Sequence, residues 1–207
     1  SSLSDNDDKE AASQVVTAAR SRLNMLDAGV SIIEESMMAT EAFLKARSGW
    51  NAVINADAAI REATALAEEM SKENILASQA KGNEALAFLE EAQQDFSQAE
   101  AAYPSLDLAA FKAYVAKRIE SQQAALAADE AYLSRNKEEL EAQNSRYNAL
   151  EEEAAALAQK LGEDDPEQIV ALRFYEEIEA DQGAYEAERL KAGNADAFLR
   201  EYLGTAS

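Results

Sequence analysis

Apolar positions recur along most of this chain in steps of three and four, the stride of a helical seam. The first run is Val16, Ala19, Leu23, Leu26, Val30, Ile33, Met37, Thr40 and Leu44. Four heptads of that spacing predict a long helix in a left-handed bundle or coiled coil, from Asp7 or Asp8 to about Arg47. Ser48-Gly49 reads as a break. A second helix follows from Trp50 to Gln79, with the small-residue seam Val53, Ala56, Ile60, Ala63 and Ala67. Lys81-Gly82-Asn83 reads as the next turn, with Gly82 suited to the left-handed residue after a helix end. A shorter helix runs from Glu84 to Tyr103, and Pro104 stops it.

From Asp107 to Leu161 there is no glycine or proline, which predicts one unbroken helix about 80 Å long at ~1.5 Å per residue. The competing expectation is a break at Ser134-Arg135-Asn136, where Asn136 and Glu139 are spaced as a capping pair. Asp165-Pro166-Glu167 starts the next helix, with a capping acid and proline at its first position. That helix runs to about Ala192 with Ala171, Phe174, Ile178 and Tyr185 inward. Gly193-Asn194 ends it. A short terminal helix, about Ala195 to Leu203, carries Phe198, Leu199, Tyr202 and Leu203 and should dock back on the bundle. No segment alternates apolar and polar residues as a strand does. The expected fold is all-α, an elongated antiparallel helical bundle of about five long or medium helices plus the short C-terminal one. It forms a single domain over 1–207 with a flexible tether at 1–6.

The long fourth helix poses the sharpest question. One column of its seam is apolar (Ile119, Leu126, Leu133, Leu140) and the other is polar: Gln122, Asp129, Asn136, Gln143. Three readings follow. The polar column faces water where a neighbouring helix ends, because burying Asp129 unpaired would cost several kcal/mol. Or the four residues form a polar groove or association seam that fixes helix register. Or Asp129 and nearby carboxylates hold a cation, which for calcium takes six or more oxygens.

Composition narrows the chemistry. The 207 residues include only 7 Gly and 2 Pro, which suits long helices. There is no Cys and no His. Disulfides, thiol catalysis, histidine triads and zinc or di-iron sites with His ligands are therefore excluded. Lys and Arg total 19 against 40 Asp and Glu, a net charge of −21 that disfavours nucleic acid and anionic lipid surfaces. Adjacent acids such as Glu68/Glu69 and Glu138/Glu139 point about 100° apart on a helix and do not converge. The acidic loop Gly162–Gln168 reads as helix punctuation. No phosphate loop or nucleophile elbow is present, no cofactor is implied, and an enzyme is not expected.

No apolar run reaches the ~18 residues of a membrane span. The polar start SSLSDNDDKE ahead of a helical body resembles the tether of a bacterial lipoprotein, and the chain as a whole resembles the helical bodies of uncharacterised bacterial cell-surface lipoproteins. The resemblance lies in general character and carries over no site residues. It implies a non-enzymatic structural or protein-interaction module outside the cytoplasm, lipid-anchored upstream, meeting another protein or itself through helical faces. Two alternatives stand beside it: a small-ligand or peptide-binding protein using the polar groove, and an intracellular coiled-coil adaptor.

Overall fold

The computed structural model describes residues 5–162 and 164–206. Those residues form five helices: α1 Asp5–Ala67, α2 Lys72–Ala102, α3 Ala109–Leu133, α4 Lys137–Leu161 and α5 Pro166–Ala206. The fold is all-α, and no strand occurs among the described residues. Of the expected tether at 1–6, residues 1–4 lie outside the described residues, and α1 begins at Asp5. The contacts gather into two compact units, one of Ser1–Met38 with Leu172–Ser207 and one of Ala39–Ala171.

The helix boundaries correct the sequence expectation in a consistent way. Neither Gly49 nor Gly82 ends a helix. A Cβ on Gly49 would lie 2.9 Å from the Phe96 ring and 3.2 Å from the Ala92 carbonyl. A Cβ on Gly82 would lie 2.7 Å from Gln122 Nε2 and 2.8 Å from Leu126 Cδ2. Both glycines are notches that let a neighbouring helix approach, and the helix continues through each. Gly162 (φ 63°) does end α4, but two of the breaks fall where no glycine stands. Met70 (φ 46°) and Arg135 (φ 58°) are left-handed, a conformation costing a non-glycine residue roughly 1–2 kcal/mol. Each is followed by a capping residue. Ser71 Oγ accepts from the Asn74 amide at 3.1 Å and Asn136 Oδ1 from the Glu139 amide at 3.2 Å.

The expected unbroken fourth helix is thus two helices, α3 and α4. They fold into an antiparallel hairpin in which Lys117 reaches Glu153 at 3.0 Å. Conversely, α5 passes through Gly193-Asn194 without a break, so there is no separate C-terminal helix. The Asp165-Pro166 start holds: Asp165 Oδ1 accepts from the Glu167 amide at 2.8 Å.

In the unit of Ala39–Ala171, α1, α2, α3 and α4 run antiparallel in sequence. Lys45 pairs with Asp95 and Lys81 with Glu62 across α1 and α2; Phe96 meets Phe111 across α2 and α3. The core is alanine-rich along α1 (Ala42, Ala46, Ala56) and bulkier opposite it (Leu89, Phe96, Phe111, Val115). Trp50 closes this cluster edge-on, 5.6 Å from Phe111.

In the other unit, α1 and α5 pair antiparallel. Arg22 binds Asp196 at 2.7 Å, and the Tyr202 hydroxyl donates to Asp8 at 2.5 Å. The α1 side of this seam is small: Ala11, Ala18 and Ser21 are buried, with Met25 and Ala28 next along the same heptad. On α5 the buried residues of this unit are Ile178, Ala192 and Ala195, with Tyr185, Leu199 and Tyr202 half-buried at the same heptad spacing. Small residues on both helices let the pair approach closely. The consequence is a second correction. The predicted α1 seam lies two residues further round the helix, roughly 200° away, and it is not the intramolecular seam. Val16, Leu23, Leu26, Val30, Ile33 and Met37 are 52–69% exposed.

Candidate functional site

Two features bear on function, one in each unit. The first is the environment of the polar column. The break at Arg135 splits that column. Gln122 and Asp129 stay on α3, Asn136 becomes the cap of α4, and Gln143 lies within α4, donating to Glu139 at 2.7 Å. The structure brings the first two together and separates the others from them.

Gln122 is 5% exposed, over the notch at Gly82. The reading in which this column turns to water is therefore corrected at Gln122: α2 covers it, because Gly82 leaves room for a side chain of that size. Asp129, one heptad on, is half-buried. Ser78 Oγ on α2 donates to Asp129 Oδ2 at 3.2 Å. Burial raises the Asp129 pKa above its ordinary value, and the Ser78 hydrogen bond only partly opposes this. Both residues line a cleft of about 270 Å³ with Ser78, Thr64, Asn144 and Tyr147. The floor is alanine: Ala63, Ala125 and Ala128.

Sequence reasoning missed Ser78 and Tyr147. The available signal was the pair Ser78 and Gly82, one helical turn apart on α2, whose smallness admits the polar α3 side chains.

Beside this cleft, Arg118 binds Asp57 at 2.7 Å and lies 5.9 Å from the Tyr114 ring centre. Burial works against its charge, but Tyr114, Asp57, Glu151 and Tyr147 together raise its pKa. Burial also raises the Tyr147 hydroxyl, reinforced by Glu151 and opposed by Arg118. This cluster joins α1, α3 and α4 and uses its charges on one another.

A larger cleft of about 440 Å³ opens at the two turns, lined by Lys72, Tyr132, Arg135, Asn136 and Lys137. Asn136 there is committed to capping α4. No group of three or more acidic side chains placed to hold a metal ion occurs among the described residues.

The second feature is the outer face of α1. Val15, Val16, Leu23, Leu26, Val30, Ile33 and Met37 are all more than half exposed. Their span of 23 residues is about 35 Å of helix, and at a width of about 10 Å the patch is about 350 Å². That lies within the range of about 300–600 Å² for the largest apolar patch on a typical monomer, a patch that is often functional. Matched against protein-family models, curated proteins and solved structures, the chain finds no counterpart in any of the three. No described helix is long and apolar enough to cross a membrane.

Proposed function

We propose that this chain is a non-enzymatic structural or protein-interaction module of a bacterial cell envelope, the soluble part of a lipoprotein, and that it meets its partner through the outer face of α1. One observation carries the contact role: a heptad-spaced apolar stripe faces away from the seam that joins α1 to α5. Leaving seven large apolar side chains in water forgoes roughly 1.5–3 kcal/mol for each that a partner would bury. The opposite, alanine-lined face already satisfies the fold. The envelope setting rests on the resemblance to lipoprotein bodies.

A photo-crosslinking residue at position 33, introduced in living cells of the source bacterium, tests the contact role. The expected result is a discrete cross-linked protein at position 33 and none with the same residue at exposed position 91 on α2. No adduct at 33 overturns the contact role. The envelope setting is tested by the gene sequence ahead of Ser1. A secretion signal ending in a lipidated Cys is expected, and the absence of any secretion signal favours the intracellular adaptor instead.

A second reading is supported by the convergence of Ser78, Gln122 and Asp129 in one cleft. It makes the chain a binder of a small polar ligand with hydrogen-bond donors. Protection of the Asp129 carboxyl from titration by an added ligand would favour it.

A further inference from the structure

We infer that the partner of the α1 outer face is a second copy of the same face, packed antiparallel about a two-fold axis near residues 27–29. This rests on the reading of that face as a contact surface and names its occupant.

Three observations point to a second copy. The first is spacing. Val16, Leu23, Val30 and Met37 alternate with Ala19, Leu26 and Ile33 in the three-and-four step of a coiled-coil seam. A helix with that repeat is best covered by another helix with the same repeat, and this chain supplies one. In antiparallel register Leu23 faces Ile33 of the copy, and Leu26 faces its Val30.

The second is charge. Beside the stripe, the first half carries Arg20 and Arg22, the second half carries Glu34, and Asp27 stands at the midpoint, all exposed. Antiparallel packing lays the basic half of one copy over the acidic half of the other and brings Arg20 against Glu34 twice. Parallel packing lays like over like, and its Arg22–Asp27 pairs would compete with the Arg22–Asp196 pair inside the chain. The antiparallel cost is one Asp27–Asp27 approach on the axis.

The third is Gly29. A Cβ there would meet nothing within 4 Å inside the chain. Gly49 and Gly82 both sit under a neighbouring helix, whereas Gly29, like Gly183, Gly193 and Gly204 of α5, does not. Gly29 lies beside the stripe at its midpoint, where two copies meet glycine to glycine and approach most closely. The pairing is isologous and closes on itself, as a dimer should.

The absence of cysteine makes the geometry directly readable. Sedimentation velocity on the purified full chain should show a dimer. Leu26→Glu should leave far-UV circular dichroism unchanged and weaken the dimer ~100-fold or more, since each copy loses a buried leucine. Under mild oxidation Asp27→Cys should cross-link to itself and Ile33→Cys should not. The reverse pattern, cross-linking at 33 and not at 27, means parallel packing and overturns the inference. A monomer at every concentration also overturns it. In that case a hydrophobic dye separates the two claims. Dye bound by the monomer and lost in Leu26→Glu leaves the contact surface standing with another occupant. No dye binding overturns the contact surface as well.

Discussion

The Tyr132 hydroxyl donates a hydrogen bond to the backbone carbonyl of Met70. That bond ties the turn between α1 and α2 to the end of α3, three residues before the left-handed Arg135. Two strained turns with no glycine are thus held by one tyrosine. Removing the hydroxyl in Tyr132→Phe should cost about 1 kcal/mol in urea unfolding. Arg135→Gly should gain about 0.5–1 kcal/mol, because glycine adopts the same backbone without the Cβ clash. If Arg135→Gly destabilises, the turn depends on the arginine side chain instead.

The glycines divide by what a methyl group would meet. Gly49→Ala and Gly82→Ala should each destabilise by about 1–3 kcal/mol, since the added carbon overlaps Phe96 or the Gln122–Leu126 pair. Gly29→Ala adds helix propensity and meets nothing in its own chain, so at protein concentrations too low for association it should stabilise by up to ~1 kcal/mol. Thermal unfolding of the three variants side by side checks the contrast.

Those same glycines show where sequence reading reached its limit. Glycine serves both as a helix stop and as a packing notch, and only the neighbouring helix distinguishes the two. The stops at Met70 and Arg135 left no backbone signature in the sequence, although the Asn136–Glu139 cap beside one of them was legible, as was Asp165-Pro166. The heptad of Val16 to Met37 was equally legible, yet periodicity identifies a face and not what covers it. The small residues two positions away, Ala11, Ala18 and Ser21, claimed α5 instead. Of the polar column, Gln122 and Asp129 share a cleft because Ser78 and Gly82 open α2 to them. Asn136 and Gln143 left it at the break.

Asp129 sets a pH dependence of unusual sign for a carboxylate. Its folded-state pKa is raised, chiefly by burial, so the folded chain holds the proton more tightly than the unfolded chain. This contribution to stability is present below the ordinary value of 3.8 and is lost as pH rises through the raised value. Asp129→Asn keeps the Ser78 partner and removes the charge. It should be at least as stable as the parent at neutral pH, and its advantage should shrink as the pH is lowered. A variant that is less stable at pH 7 and gains nothing relative to the parent on raising the pH contradicts this.

Arg118 should be the costliest surface-adjacent charge to remove. Its side chain is 14% exposed and paired with Asp57, which keeps a third of its own side chain in water. Arg118→Met should therefore cost about 2–3 kcal/mol, below the roughly 3–5 kcal/mol of a fully buried pair. The double variant Arg118→Met, Asp57→Leu should recover part of that loss. Full additivity of the two single losses would show that the pair does not act as a unit.

The most direct measurement is urea unfolding of Leu26→Gln, Ile33→Gln at the lowest protein concentration the signal allows. An α1 outer face that is free in the single chain predicts a change within about 0.5 kcal/mol for each substitution. A loss of about 2–5 kcal/mol at each position, the cost of spoiling a packed core, would show that the chain covers this face itself and would contradict the account.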